Sequence, residues 1–184
     1  MAKKKVKEIR FNSRVPQYAW LSAFFQAPFI APLGKKLVLF KSREHYYQAH
    51  KTKDKTFRSL IINAGESSRA KYFGSAKSGC PIVEAFDAKR KDIMREAIRY
   101  QFHQNPLLYR WLAETGKAVL IEEAPWDDYF GTGRNGDGKN IHGKLLMEFR
   151  DDEDGVGTKI TQYRQAHVTQ EELHFYEEVK RERN

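Results

Sequence analysis

The chain has little cysteine and no long hydrophobic run, and each shortage excludes a class of protein. Cys80 is the only cysteine among 184 residues, which excludes an internal disulfide framework and a multi-cysteine zinc site. No stretch approaches the roughly 20 uncharged apolar residues that a membrane-spanning helix needs. The basic N-terminus is not followed by an apolar stretch of signal length. We therefore expect a cytoplasmic protein with no membrane partner.

The sequence also lacks the motifs of common cofactor and metal sites. The glycines of residues 131–138 fit neither GxGxxG nor GxxxxGK followed by Ser or Thr, which argues against a dinucleotide site and a P-loop. His45 and His50 are five residues apart, whereas two ligands on one helix face are four apart, and no HExxH motif is present. We therefore expect no metal and no cofactor, and we interpret Cys80 as a passive residue.

Charge is abundant but uneven. Hydrophobic residues make up 40% and charged residues 31%, as in a folded globular chain of one domain. Residues 151–184 hold five Lys or Arg and nine Asp or Glu, a net charge of −4. Since the whole chain carries +9, residues 1–150 carry a net charge of +13. A body this basic attracts nucleic acid, phosphorylated metabolites or its own acidic tail. A purely solubilising role stays open.

The hydrophobic patterns predict a single α+β domain, mostly helical around a small sheet. An apolar patch at residues 20–25 is closed by Pro28 and Pro32. We expect a basic tail over residues 1–8, the domain over 9–150 and an acidic, partly helical extension over 151–184. Predicted strands cover residues 9–11, 36–40 and 118–121, and predicted helices cover 43–57, 85–102, 106–115, 143–150 and 169–182.

The helix that begins after Ser42 carries the first candidate for chemistry. Glu44, Gln48 and Lys51 are spaced i, i+4 and i+7, so they share one face, with Tyr47 beside them. A carboxylate in the first turn is stabilised by the helix dipole. Such a residue could act as a base or stabilise a cation. The alternative is an exposed glutamate with a charge partner.

The glycine-rich stretch carries the second candidate. Four glycines within residues 131–138 exclude a helix or a strand, and Asp127 and Asp128 precede them. Its backbone amides could hold a phosphate, with Arg134 or Lys139 adding charge. A carboxylate here, near Glu44, would complete the pair on which most glycosidic bond hydrolysis depends. Three aromatic residues either stack on a flat base or pack in the core: Trp126, Tyr129 and Phe130.

The same stretches resemble the motifs of a known family, in the same order. Arg43–Ala49 resembles SEHYFQA, and residues 125–150 resemble PxDxYWGxGxxGxGxNxLGxxLMxxR. Shorter matches lie at residues 91–97 and 105–116. These motifs belong to the NADAR family, also called YbiA-like, which the chain resembles over residues 9–150. The resemblance implies an enzyme that hydrolyses the bond between ribose C1 and a nitrogen. It also implies substrates of two classes: phosphorylated riboflavin-pathway intermediates, or ADP-ribose attached to guanine in nucleic acid.

Carried over by position, the resemblance makes Glu44 the first catalytic carboxylate and Asp128 the second. A separation within about 10 Å between the two carboxylates would suit a shared glycosidic site. Departures from the family are Ala23 in place of Asn, Phe86 and Phe130 in place of Trp, and Gln101 in place of Lys. We expect an N-glycosidase of ADP-ribosylated guanine. The alternatives are an N-glycosidase of riboflavin-pathway intermediates, an inactive module that binds ADP-ribose or nucleotide, and an accessory protein that binds nucleic acid through its basic surface. Expected substrate-binding residues are Trp20, Tyr47, Gln48, Lys51, Phe130, Gly131, Gly133 and Asn140.

Overall fold

A computed structural model describes residues 7–152 of the chain. The chain divides into two compact units. Among the described residues, the discontinuous unit combines residues 7–21 with residues 105–152, and the continuous unit comprises residues 22–104. The elements in chain order are β1 (Glu8–Phe11), β2 (Phe29–Leu33), β3 (Lys36–Phe40), α1 (Arg43–Ala49), α2 (Lys55–Asn63), α3 (Ser67–Phe73), α4 (Phe86–Gln104), α5 (Pro106–Glu114), β4 (Val119–Glu122) and α6 (Ile141–Arg150). Short 3-10 helices cover Pro16–Leu21 and Ala76–Ser78.

The discontinuous unit is built on a parallel pair of strands from distant parts of the sequence. β1 pairs with β4, with Ile9 opposite Leu120 and Phe11 opposite Glu122. Helix α6 packs against β4. Because parallel strands end at the same edge, this pairing places the residues after β1 beside those after β4.

The continuous unit is mostly helical. Its antiparallel ribbon joins β2 to β3, and α1 contacts α2, α3 and α4. The buried residues of α4 include Phe86, Met94, Ala97 and Ile98, which give the predicted helix an apolar side. The predicted α+β class, helical with few strands, is confirmed.

The prediction of one helix over residues 43–57 is wrong. Helix α1 ends at Ala49, and α2 begins at Lys55. The Asp54 carboxylate accepts hydrogen bonds from the backbone amides of Thr56 and Phe57, at 2.8 and 3.0 Å. Asp54 is therefore an N-cap inside the region predicted as one helix, and it begins a new one.

Strand β2 and helix α3 were missed by the sequence patterns. Pro32, which we interpreted as closing an apolar segment, lies within β2 opposite Leu37 of β3. A ribbon of two strands leaves one edge of each strand unpaired, so a residue without an amide hydrogen is tolerated there.

The predicted helix over residues 169–182 and most of the acidic extension lie outside the described residues. Within residues 7–152, no helix has the length and apolar character needed to cross a membrane. The predicted domain boundaries stay predictions.

Candidate active site

Glu44 is buried at the start of α1. The backbone amide of Glu44 donates a 3.0 Å hydrogen bond to the Ala23 carbonyl oxygen, and only 6% of the residue is exposed. Ser42 caps the helix, since its hydroxyl oxygen accepts from the His45 amide at 3.4 Å. The alternative of an exposed surface glutamate is therefore wrong.

Gln48 holds the Glu44 carboxylate directly. Its side-chain amide Nε2 donates to Glu44 Oε1 over 2.6 Å, one helical turn away. Gln48 is itself buried, and it lies against the Cα of Gly74. A Cβ at Gly74 would come within 2.3 Å of Gln48 Oε1, so the glycine makes room for this amide. The sequence held no signal for Gly74, which lies 26 residues beyond Gln48 in the sequence.

Lys51 adds a positive charge to the same cluster. Its ammonium nitrogen lies 5.3 Å from the centre of the Tyr47 ring and 5.5 Å from that of Phe86, both within cation–π range. Burial lowers the pKa of Lys51, and the negative charge of Glu44 opposes that shift. Tyr47 and Gln48 lie on α1 with Glu44, whereas Lys51 lies two residues beyond the end of the helix and contacts the Tyr47 ring from there. The roles of these residues stay predictions.

His45 has a structural role beneath this cluster. Its Nε2 donates to the Ala64 carbonyl oxygen at 3.1 Å, so its Nδ1 accepts a hydrogen bond from the Ser42 hydroxyl at 2.8 Å. Burial lowers the pKa of His45, in keeping with a neutral ring. In the described part of the chain, no group of three or more His, Cys, Asp or Glu side chains is arranged to hold a metal ion.

In the discontinuous unit, the adjacent residues Asp127 and Asp128 at the start of the glycine-rich loop have different surroundings. Asp127 Oδ1 accepts hydrogen bonds from the amides of Tyr129 and Phe130, at 2.9 and 2.8 Å. In the family motif PxDxYWG the aspartate falls on Asp127, whereas we placed the second carboxylate at Asp128, and here the Asp127 carboxylate builds the turn. Asp128 is exposed, and its carboxylate lies so close to Gly133 that a Cβ there would be 2.2 Å from Oδ1. Asp128 is therefore the carboxylate of this pair that faces solvent.

The loop consumes the amides that we expected to hold a phosphate. The amides of Gly131, Thr132 and Gly133 donate to the carbonyl oxygens of Asp127, Glu122 and Ala124. The Gly138 amide likewise donates to the Thr132 carbonyl oxygen. A phosphate site made from these consecutive amides is therefore excluded. The side chains of Arg134 and Lys139 remain exposed.

Asn140 ties the end of the loop to β4. Its backbone is left-handed, with φ of 47°, and its side chain acts as a short substitute for a neighbouring strand. Oδ1 accepts from the Glu122 amide at 3.0 Å, and Nδ2 donates to the Leu120 carbonyl oxygen at 2.8 Å. This geometry gives Asn140 a structural reason to be present. Its substrate-binding role stays a prediction.

The aromatic residues separate by exposure. Phe130 is buried edge-to-face against Tyr129, with ring centres 5.0 Å apart. Trp20 is buried against Trp111, at 5.6 Å. These are contacts of core residues, and the substrate-binding roles of Phe130 and Trp20 stay predictions. Trp126 is instead 64% exposed and so has a face available for stacking.

A pocket of about 580 Å³ opens beside the loop in the discontinuous unit. It joins the residues that follow β1 to those that follow β4, as the parallel pairing requires. Sequence patterns did not indicate the lining residues that come from the β1 segment, Arg10, Asn12 and Arg14, because nothing local shows which strand lies beside β1. Its lining residues are Arg10, Asn12, Arg14, Glu123, Pro125, Trp126, Thr132, Gly133, Arg134, Asn135 and Gly136.

The predicted site residues therefore form two groups, each described within its own unit. The continuous unit holds the Glu44 cluster, and the discontinuous unit holds Trp20 and the glycine-rich loop. The pairing of Glu44 with Asp128 stays a prediction.

Comparisons with known proteins agree on one family. The sequence profile of the NADAR domain matches residues 10–152. The N-glycosidase YbiA of Escherichia coli K12 is 34% identical over 143 residues, which cover 78% of this chain and 86% of that protein. A chloroplastic riboflavin biosynthesis protein of maize, PYRR, is 32% identical over 116 residues, 58% of this chain and 19% of that protein. The NMR structure of Escherichia coli YbiA matches with a TM-score of 0.70 and 27% identity, over 91% of this chain and 93% of that one.

Proposed function

Because this chain belongs to the NADAR domain family and is an N-glycosidase, we propose that it hydrolyses the ribosyl bond of ADP-ribosylated guanine in a nucleic acid or nucleotide. The observation that carries the proposal is the buried Glu44 carboxylate, held at 2.6 Å by Gln48. The basic character of residues 1–150 supports a polyanionic substrate.

Glu44 is the proposed catalytic carboxylate. The bond between ribose C1 and the base nitrogen breaks, and its electron pair leaves on the nitrogen. Water then forms the new bond to C1 and passes a proton to Glu44, and Glu44 returns this proton to the departing base nitrogen, which restores its carboxylate. A fixed carboxylate also stabilises the positive charge that develops on the ribosyl group. Gln48 fixes the orientation of the carboxylate, and Lys51 sets the local charge.

Asp128 is the proposed second carboxylate. Its exposure leaves it accessible to ribose or to water, whereas Asp127 is occupied by the turn. The further substrate contacts proposed in the continuous unit come from Tyr47, Gln48 and Lys51. Those proposed in the discontinuous unit come from Trp20, Phe130, Gly131, Gly133 and Asn140.

The test compares wild type with Glu44→Gln on a single-stranded oligonucleotide that carries one ADP-ribosylated guanine. A glutamine at this position still accepts the hydrogen bond from Gln48, so the fold is retained. We expect a loss of roughly 10²- to 10⁴-fold in turnover, the usual contribution of a general base. Glu84→Gln, at an exposed glutamate of the same unit, is the matched control and should retain full turnover.

Unchanged turnover in Glu44→Gln would remove Glu44 from the mechanism. Saturable binding of ADP-ribose by the wild type without any product would instead indicate a module that only binds. This binding measurement is included because Ala23, Phe86, Gln101 and Phe130 depart from the residues of the family. Gln101 has a structural use, since its amide donates to the Ala27 carbonyl oxygen at 3.0 Å.

A second candidate substrate is a phosphorylated intermediate of riboflavin synthesis. The similarity to the maize riboflavin biosynthesis protein favours it. Parallel assays on both substrate classes separate the candidates. A kcat/KM higher for the riboflavin intermediate than for the modified oligonucleotide would select the second.

A further inference from the structure

We propose that the 580 Å³ pocket binds a nucleotide adjacent to the modified guanine in a single strand, by stacking its base on Trp126 and pairing its phosphates with Arg14 and Arg134. This inference rests on the proposed function for the identity of the strand. It adds a separate binding site outside the reacting bond. The volume lies within the roughly 300–1,000 Å³ of ligand pockets.

Trp126 provides an uncommon surface. The chain has three tryptophans, and Trp20 and Trp111 are only 3% and 6% exposed, whereas Trp126 is 64% exposed. Trp126 lines the pocket with its indole exposed, so a flat aromatic group that enters the pocket can stack on it. Stacking on an exposed aromatic ring is the usual way in which proteins hold single-stranded bases.

The pocket also contains cations that lack carboxylate partners. Arg10 forms ion pairs with Glu8 and Glu123, at 3.2 and 3.5 Å, and is thereby held in place. Within residues 7–152, neither Arg14 nor Arg134 forms an ion pair, and both are exposed. Two unpaired guanidinium groups beside a flat ring match the alternation of phosphate and base along a single strand.

The residues that line the pocket favour single-stranded over double-stranded nucleic acid. Inside a duplex both faces of a base are covered by its stacked neighbours, whereas a base of a single strand can unstack and offer a face to an aromatic ring. Glu123, in the same wall, repels phosphate but accepts hydrogen bonds from amino groups at a base edge. The pocket therefore presents separate places for phosphate and for base.

The loop connects this pocket to the proposed chemistry. Gly133 lines the pocket, and its Cα lies against the carboxylate of Asp128. A strand whose modified nucleotide reaches Asp128 therefore passes its neighbour along the pocket wall. Nucleotides with no neighbour would gain nothing from Trp126.

The first test measures binding of an unmodified single-stranded pentadeoxynucleotide. Binding should quench tryptophan fluorescence, because only Trp126 of the three indoles is exposed. Trp126→Ala lacks the reporting indole, so its binding is followed by the anisotropy of a labelled oligonucleotide, and it should be weaker about 5- to 150-fold, the loss expected for one stacked base. Arg134→Ala should lower the slope of log K against log salt by about 0.7. Tyr72→Ala and Lys144→Ala, at an exposed aromatic residue and an exposed cation outside the pocket, are matched controls and should bind like wild type.

The second test separates this inference from the proposed function. Trp126→Ala and Arg134→Ala should raise KM for the ADP-ribosylated oligonucleotide and leave kcat/KM for ADP-ribosylguanosine unchanged. If Glu44→Gln abolishes turnover but the pocket variants behave like wild type, the pocket inference fails and the proposed function stands. The wild type could instead turn over neither substrate while still binding the oligonucleotide more tightly than Trp126→Ala does. In that case the proposed function fails and the pocket inference stands as a binding site for a single strand. Equal quenching by duplex DNA or by an acidic peptide would also overturn the inference.

Discussion

Gly74→Ala should disturb the proposed catalytic carboxylate without touching it. The added Cβ would lie 2.3 Å from Gln48 Oε1 and 2.8 Å from Gln48 Cβ. The amide oxygen can rotate away, but Gln48 Cβ is fixed to α1. Since carbon atoms pack at about 3.5–4.0 Å, the Gln48 backbone and Gly74 must separate by roughly 1 Å.

Two opposing effects set the stability of this variant. Overpacking of a buried contact costs about 1–3 kcal/mol. Gly74 has φ of −87° and ψ of 14°, which alanine adopts without strain. Replacement of a glycine in such a conformation stabilises by about 0.4–1 kcal/mol through the unfolded chain. We therefore expect a net destabilisation of roughly 0.5–2 kcal/mol.

Gly65→Ala is the matched control. A Cβ at Gly65 would meet no atom within 4 Å, and the φ of Gly65 is outside the left-handed region. This variant should be neutral or slightly stabilised. The difference between the two variants in urea unfolding therefore isolates the overpacking at Gln48.

Activity supplies the second measurement. Displacement of Gln48 releases Glu44 Oε1 from its 2.6 Å hydrogen bond, so the carboxylate loses its fixed orientation. A misplacement of about 1 Å costs on the order of 10²-fold in rate, so kcat should fall about 10- to 100-fold. Gln48→Ala should show a similar loss of kcat. A Gly74→Ala variant as stable and as active as Gly65→Ala would refute the reasoning.

Four further predictions concern named contacts. In urea, the free energy of unfolding of Asp127→Ala should fall by about 0.5–2 kcal/mol because the hydrogen bonds of the turn are lost. That of Asp128→Ala should stay within about 0.5 kcal/mol of wild type while its turnover falls. The opposite ranking would contradict the assignment of the two carboxylates. The free energy of unfolding of Asn140→Ala should fall by about 2–4 kcal/mol, because two hydrogen bonds disappear and alanine disfavours a φ of 47°. The Glu122 amide, which donates to Asn140, should also lose its protection from hydrogen exchange. Burial lowers the pKa of Lys51 below 10.5, so between the folded pKa and 10.5 the unfolded chain binds more protons than the folded one. The free energy of unfolding should therefore rise with pH over this range. Lys51→Met should remove this contribution to the dependence of the free energy of unfolding on pH. Burial also raises the pKa of the Cys80 thiol, so native alkylation should be slower than alkylation of the unfolded chain, and equal rates would contradict the buried placement.

Local patterns predicted the elements whose signals are local. The helix start after Ser42 and the strand that ends at Phe40 follow from a cap and an apolar run a few residues long. The break between α1 and α2 was missed because the cap at Asp54 lies within a pattern that otherwise favours one helix. β2 was missed because Pro32 is a breaker in most strands, and only its place in a two-stranded ribbon makes it acceptable.

The candidate site divides in the same way. The contact between Glu44 and Gln48 was predictable because helical spacing places i and i+4 together. Gly74 and Arg10 were not predictable, since their partners are set by packing between distant segments. Asp127 and Asp128 look alike in sequence, and only the hydrogen bonds of the folded loop separate the structural carboxylate from the exposed one.

The most direct test of the account is mass spectrometry of the products from an oligonucleotide with one ADP-ribosylated guanine. The account predicts free ADP-ribose and an oligonucleotide with intact guanine from the wild type, and essentially none of either from a folded Glu44→Gln variant. Release at the wild-type rate by Glu44→Gln would contradict the central claim.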